Sequence, residues 1–316
     1  MTTRLSTIKE LASGTVIEGV YMAENPQYYN KASGDFQRVA LSLRDGSGVV
    51  RAVLWDKPEF NLTNGQIVKI KGSTAFYNDA PQITILDVKE ATEGEYNPAD
   101  LYPTTKADRK ELEHKLAELI NSVENEFLNK LLKCFFAKKD FWQDFRSKSA
   151  AVYVHHAFCG GLLEHTVNVA RLCDTAAGIY SDVDRDLLVT GALLHDIGKM
   201  NELSNFPENI FTEKGNMLGH ISLGAFMIHD AIAQIPAFPK DLELKITHMI
   251  LSHHGELEYG SPVKPAIKEA VVLSKCDQLD ASLETARETI DQLAPGEAKK
   301  IAGSYFIRLK DQEETK

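Results

Sequence analysis

The sequence lacks the features that would place the protein in a membrane or in an oxidising compartment. No apolar run approaches the roughly 18 residues that a membrane span needs. The N-terminus, MTTRLSTIKELASG, has no apolar stretch after its basic residue. The 4 cysteines form no Cys-x-x-Cys pair, which argues against a thiolate zinc site and a disulfide framework. We therefore expect a cytoplasmic protein that makes no contact with a membrane.

A surplus of positive charge is also missing. The chain has 35 Lys and Arg against 45 Asp and Glu, a formal net charge of -10. Bulk electrostatic binding to nucleic acid needs clustered Lys and Arg, so binding of this kind would have to depend on a local surface. The acidic residues lie mainly in the C-terminal half, where carboxylates can hold metal ions.

The first part of the chain has the pattern of a small β-barrel. From Gly14 to Ala91, short runs of alternating apolar residues are separated by turn clusters at residues 45–48 and 78–81. Five or so strands in this length favour a closed barrel such as the OB-fold, which binds single-stranded nucleic acid by stacking bases on aromatic side chains. The candidates for the binding face are Tyr21, Phe36, Arg38, Arg51, Trp55, Phe76 and Tyr77. In the alternative interpretation, most of these aromatic rings fill the barrel.

The remainder of the chain is predicted to be helical. Apolar residues recur at steps of three or four from Leu112 onward, and the helical signal continues nearly to residue 310. We predict a multidomain α+β protein in which an N-terminal OB-type β-barrel precedes an all-α domain. The predicted segments are the barrel at 1–92, a linker at 93–104, the helical domain at 105–310 and a polar tail at 311–316.

The stretch GALLHDIGKM, residues 191–200, sets an imidazole beside a carboxylate at the end of an apolar run. A single His on an apolar face is usually a hydrogen-bonded core residue. Here, however, four further helical segments each carry ligand-type side chains, some of them on the apolar face. The complete set of predicted metal ligands is His165, His195, Asp196, His220, His253, His254 and Asp277.

Imidazole and carboxylate ligands without cysteine suit borderline or hard divalent cations. Mn²⁺, Fe²⁺, Co²⁺, Ni²⁺ and Zn²⁺ all remain candidates from the ligand types. The site can hold two cations if Asp196 bridges them with its two oxygens. The competing interpretation, a chance grouping of core histidines, is weakened because buried titratable clusters are costly without a partner.

The motifs resemble those of the HD superfamily of metal-dependent phosphohydrolases, in which H…HD…D lies on a helical bundle. Residues His165, His195, Asp196 and Asp277 match this pattern, and the three additional histidines resemble its two-metal branch. Together with the barrel, the stretches GGLLEHTVNVARL, LLHDIGKM and SHHGELEYGSPVKP are similar to the YhaM family of 3'-5' exoribonucleases. The resemblance implies a manganese- or cobalt-type requirement and removal of nucleotides from the 3' end of single-stranded RNA, with single-stranded DNA as a second substrate.

Such a site would act through a metal-activated hydroxide, with Asp196 and Lys199 as the residues predicted to take part in catalysis. Lys199 would donate to a phosphate oxygen, or else is a solvated lysine. Weaker candidates for substrate binding are His156, Ser261 and Lys264 near the helical site, and Phe36, Arg38 and Trp55 on the barrel. Oligomerisation of the chain would combine several barrels around one substrate.

Two other functions remain open from the sequence. One is an HD-type cyclic-dinucleotide or nucleotide phosphohydrolase. The cyclic-dinucleotide branch carries a Gly-Tyr-Pro tripeptide after the paired histidines, whereas this chain has Glu-Tyr-Gly-Ser-Pro at 258–262. The other is an OB-type DNA- or RNA-binding regulatory protein without catalysis, although retention of the full ligand set argues against it.

Overall fold

A computed structural model describes residues 3–31, 33–55, 60–78, 80–92, 94–97, 100–102, 104–152, 156–206, 208–301 and 303–309. Its contacts divide the chain into two compact units, Met1–Thr104 with Phe206–Glu208, and Thr105–Asn205 with Asn209–Lys316. The predicted polar tail at 311–316 lies outside the described residues. Among the described residues, every helix is too short or too polar to span a lipid bilayer.

The first unit is a closed five-stranded barrel with the strand order β1-β2-β3-β5-β4. The strands are β1 Val16–Asn30, β2 Phe36–Asp45, β3 Gly48–Trp55, β4 Ile67–Tyr77 and β5 Ala80–Glu90. The first half of β1 pairs with β4 and the second half with β2, while β3 and β5 run parallel. This Greek-key closure identifies an OB-type barrel and confirms the predicted fold class.

The period-two pattern of the strands places one set of side chains inside the barrel. Val, Ile and Leu fill the interior, and Leu5 and Ile8 of a 3-10 helix at Leu5–Glu10 pack against the same core. The predicted hairpin at 45–48 is present: Asp45 pairs with Gly48, and its carboxylate accepts hydrogen bonds from the backbone N–H groups of Ser47 and Gly48. The fully buried Tyr21 belongs to this core and not to a binding face, in agreement with the alternative interpretation that these rings fill the barrel.

The second unit is a bundle of helices around one apolar core. The helices are α1 Arg109–Asn121, α2 Glu126–Phe136, α3 Lys139–Phe145, α4 Gly161–Ile179, α5 Arg185–Leu194, α6 Lys199–Glu202, α7 Glu213–Ile232, α8 Lys240–Ser252 and α9 Lys268–Gln292. Asp108, Asn125, Asp184 and Thr212 cap the first turns of four helices with their side-chain oxygens.

The expectation that helix continues nearly to residue 310 is wrong. Helix α9 ends at Gln292, and the chain then forms a hairpin of β6 Ala298–Ile301 and β7 Ser304–Ile307. The residue after the helix, Leu293, is extended, and Gly303 adopts positive φ between the two strands of the hairpin.

Candidate metal centre

The end of α5 places the His-Asp pair of GALLHDIGKM in the core. The helix stops at Leu194, and His195 to Gly198 form a turn before α6 begins at Lys199. A Cβ on Gly198 would lie 1.9 Å from the carbonyl oxygen of His220, so only glycine allows the turn to approach α7 this closely. This contact brings the His-Asp pair beside His220.

The other predicted ligands reach the same point from four helices. His165 is buried on α4, and His220 follows a kink in α7 at Gly219, which has a φ of 68°. His253 and His254 follow the end of α8, where Gly255 with a φ of 83° terminates the helix as predicted. Asp277 lies on α9.

These side chains form two neighbouring groups. In the first, His165, His195 and Asp277 each offer one ligand atom, and these atoms lie within 4.8 Å of one another. In the second, the same limit encloses one atom each of His220, His253 and His254. Each group therefore has the ligand types and the spacing to hold a divalent cation.

Asp196 lies between the two groups with one oxygen toward each. Its Oδ2 is 3.5 Å from His165 Nε2 and 3.4 Å from His195 Nε2. Its Oδ1 is 3.5 Å from His220 Nε2 and 3.6 Å from His253 Nε2. This is the arrangement that a bridging carboxylate requires.

All five histidines turn the same nitrogen, Nε2, toward this centre. Each Nδ1 faces a hydrogen-bond acceptor: Asp280 Oδ2 at 2.7 Å from His165, Ala192 O at 2.8 Å from His195, Glu202 Oε1 at 3.0 Å from His220, Ile250 O at 2.7 Å from His253 and Tyr259 O at 2.8 Å from His254. A carbonyl or carboxylate oxygen can only accept, so each Nδ1 carries the proton. In the neutral rings, five Nε2 lone pairs then converge.

Such an arrangement needs a positive charge at its centre. His220 Nε2 lies 3.3 Å from His254 Nε2, so the lone pairs of these two rings would repel each other when both rings are neutral. In addition, the buried Asp196 Oδ1 and His253 Nε2 have no hydrogen-bond partner among the described residues. The donor set therefore fits divalent cations bound by nitrogen and oxygen.

The protonation states suit cation binding, with one exception. Burial opposes charge on Asp196, but the positive charge of Lys199 and the electrostatic interaction with His195 outweigh it and hold the pKa of Asp196 well below its usual value. Burial lowers the pKa of His253 and His254, which favours their neutral form. For His165 burial also acts to lower the pKa, yet hydrogen bonds with Asp277 and Asp280 outweigh it and raise the pKa to about 9. A cation must therefore displace a proton from His165.

Lys199 lies at the edge of this centre. Its Nζ is 2.7 Å from Asp196 Oδ2, and its side chain is only 11% exposed. The alternative that Lys199 is an ordinary solvated lysine does not agree with this burial.

Residues 162–282 match the HD domain family, which spans the predicted ligands from His165 to Asp277. The 3'-5' exoribonuclease YhaM of Bacillus subtilis is 33% identical over 263 residues, covering 82% of this chain and 83% of that protein. The Bacillus licheniformis protein of the same name is 34% identical over the same shares. The chain belongs to the YhaM family of 3'-5' exoribonucleases.

Solved structures of OB-fold domains resemble only part of this chain, and only weakly. The second OB-fold domain of replication protein A from Methanococcus maripaludis covers 31% of this chain and 100% of its own, at 20% identity and a TM-score of 0.24. The strand order of the barrel, and not this likeness, identifies the fold.

Two buried carboxylates of this YhaM-family chain were missed by the sequence reasoning. Asp280 accepts the Nδ1–H of His165, and Glu202 accepts the Nδ1–H of His220. A signal for Asp280 is present, since it lies three residues after Asp277 on the same helix. For Glu202, no spacing could have identified the contact, because α6 and α7 are separate elements.

His156 was predicted as a substrate contact, and the structure places it differently. Its side chain is fully buried, and its Nε2 lies 2.8 Å from Asp280 Oδ2. A ring without exposed surface is not placed to touch a substrate, so its contact with Asp280 is the relevant one. The neighbouring His155 lies outside the described residues.

The loop EYGSPVKP at 258–265 contacts the centre through its backbone. The carbonyl of Tyr259 accepts the Nδ1–H of His254, while Lys264 forms an exposed ion pair with Glu256 at 2.6 Å. The hydroxyl of Ser261 is buried and has no hydrogen-bond partner among the described residues. The predicted roles of Ser261 and Lys264 in substrate binding remain predictions.

The barrel carries an exposed cluster of aromatic and basic side chains. Tyr29, Arg38 and Trp55 face one another in register across β1, β2 and β3. The guanidinium of Arg38 lies 4.4 Å from the ring centroid of Tyr29 and 5.4 Å from that of Trp55, and both rings are more than two-fifths exposed. Tyr29 was not predicted, and the side chain of Phe36 lies outside the described part of the chain.

Proposed function

We propose that this protein is a metal-dependent 3'-5' exoribonuclease that hydrolyses the phosphodiester bonds of single-stranded RNA, with single-stranded DNA as a second substrate. Membership of the YhaM family supports the reaction. The observation that carries the proposal is the convergence of four imidazole Nε2 atoms, those of His165, His195, His220 and His253, on the two oxygens of Asp196. The family assignment favours this activity over a cyclic-dinucleotide or nucleotide phosphohydrolase and over a purely binding role.

The residues divide between two cation positions. One cation would be held by His165, His195 and Asp277, and the other by His220, His253 and His254. Asp196 would contribute one oxygen to each cation. Mn²⁺ is the proposed native cation. Divalent cations bound there would lower the pKa of water and neutralise charge on the phosphate.

Lys199 has a separate role in this proposal. Its ammonium, held 2.7 Å from Asp196 Oδ2, would donate to a non-bridging oxygen of the scissile phosphate. Because its side chain is mostly buried, it can act without strong solvent screening. We assign no protein side chain as nucleophile.

The barrel would hold the strand upstream of the cleaved bond. Exposed aromatic rings at Tyr29 and Trp55 offer stacking faces that accept any base, and Arg38 adds a positive charge. The formal charge of -10 implies modest affinity that falls with salt. A homo-oligomer would add further barrels, which light scattering of the purified protein can test.

The test uses single-stranded RNA labelled at its 5' end, incubated with the protein and Mn²⁺. Progressive shortening of the labelled strand is expected for the wild type, whereas Asp196→Ala should leave the RNA intact but still bound. Turnover by Asp196→Ala near the parental rate, or intact RNA with the wild type, would contradict the proposal.

A further inference from the structure

Each of the two histidine groups contains one imidazole that is held by a carboxylate. Asp280 Oδ2 lies 2.7 Å from His165 Nδ1, and Glu202 Oε1 lies 3.0 Å from His220 Nδ1. The other three histidines donate to backbone carbonyls instead. The orientation and basicity of one ring in each group therefore depend on a side chain.

We propose that Asp280 and Glu202 are positioning residues that set the cation affinity of the two groups separately, Asp280 through His165 and Glu202 through His220. This inference rests on the proposed function. A carboxylate that accepts the Nδ1–H fixes the ring and increases the electron density at the opposite nitrogen, which strengthens its bond to a cation.

Asp280 is itself held by His156. The same oxygen, Oδ2, that faces His165 also lies 2.8 Å from Nε2 of His156. Two ring N–H groups directed at one oxygen fix the position of the carboxylate more firmly than one would. His156 therefore acts on His165 through Asp280, without contact to a cation or a substrate.

The backbone around His156 is specialised for this contact. His156 has a φ of 60°, a conformation that is strained for a residue with a side chain. A Cβ on Gly161 would lie 2.1 Å from the carbonyl oxygen of His156. The backbone of His156 can therefore pack against the start of α4 only because residue 161 is glycine. Strain that the surrounding structure maintains is typical of functional sites.

Glu202 holds its partner in a second way. Its Oε1 accepts the backbone N–H of His220 at 2.8 Å as well as the ring Nδ1–H. His220 directly follows the kink at Gly219, so its backbone N–H has no partner from a regular preceding turn. Glu202 thus fixes both the ring and the point where α7 restarts.

The experiment is a calorimetric titration of the full-length protein with Mn²⁺ after removal of metal. Asp280→Asn and Glu202→Gln each keep an oxygen acceptor but remove the charge. In each single variant, the Mn²⁺ affinity of one of the two sites should fall by about 10–100-fold while the affinity of the other site is unchanged. In the double variant, the Mn²⁺ affinity of both sites should fall. Glu243→Gln is the matched control, because Glu243 faces His229, an exposed histidine outside the centre, and it should match the wild type.

The outcomes separate the two proposals. If the wild type binds no Mn²⁺, the proposed function fails. If the wild type binds two ions and the variants bind them equally well, or if both events weaken together in each single variant, the positioning roles are wrong. His156→Gln retains an N–H donor and His156→Phe does not, so only His156→Phe should weaken the event that Asp280→Asn weakens. Equal binding by these two variants would remove His156 from the inference.

Discussion

Lys199 Nζ lies 2.7 Å from Oδ2 of Asp196, the same oxygen that faces His165 and His195. The ammonium is therefore in direct contact with the oxygen that the proposed cation site would use. This contact makes Lys199 the side chain whose role is most directly open to a kinetic test.

We expect Lys199→Met to lower kcat about 10²-fold, a loss comparable to that of one donor at a developing negative charge. Methionine retains the apolar stem and removes the charge. The rate of shortening of 5'-labelled RNA at saturating Mn²⁺ measures the effect. Lys240→Met, at an exposed lysine on α8, is the control and should keep the parental rate. An unchanged kcat for Lys199→Met would exclude a role in the chemical step.

Mn²⁺ affinity should increase with pH. Below a pKa of about 9, His165 carries a proton that a cation must displace, so the apparent association constant should rise about tenfold per pH unit from about pH 7 to about pH 8.5. The increase in Mn²⁺ affinity should level off as the pH passes the pKa of His165, because the His165 ring is then already neutral. Competition with a fluorescent chelator at several pH values measures it. A flat profile would show that His165 does not titrate with metal binding.

Gly198→Ala should lower the free energy of unfolding. Its new Cβ would overlap the backbone of His220, so the turn and α7 must separate at a cost of about 1–3 kcal/mol in the free energy of unfolding. Thermal and urea unfolding measure the loss. Gly178→Ala on α4 meets no atom within 4 Å and should be neutral or stabilising by up to about 1 kcal/mol. Similar losses in the two variants would contradict the close approach at Gly198.

Trp55→Ala should weaken RNA binding by the barrel. Loss of one stacking ring costs about 1–3 kcal/mol, or about 5–150-fold in affinity. Filter binding with Asp196→Ala as the background keeps the RNA intact during the measurement. Val49→Ala, at an exposed position of the same strand, is the control and should change affinity by less than about twofold. Equal RNA affinity of the two variants would show that RNA does not bind at the cluster of Tyr29, Arg38 and Trp55.

The sequence predicted the elements and the ligand types, because both depend on local patterns. Alternation marked the strands, and spacings of three and four placed His165 on the apolar face of its helix. The sequence did not predict which side chains are buried where this depends on contacts between distant parts of the chain. Tyr21 and Trp55 both lie on apparent strands, but which alternating face turns inward depends on how the barrel closes.

The carboxylate that holds His220 was beyond sequence reasoning for the same reason. Glu202 approaches His220 because Gly198 allows α6 and α7 to meet, a contact that no periodicity encodes. The C-terminal hairpin was missed because four-residue strands are too short for a clear alternating pattern.

Anomalous diffraction from a crystal soaked in Mn²⁺ tests whether two divalent cations share Asp196. Two peaks are expected, one among His165, His195 and Asp277 and the other among His220, His253 and His254, each in contact with one oxygen of Asp196. A map with no peak at these positions, or with peaks that Asp196 does not touch, would show that Asp196 does not bridge two cations.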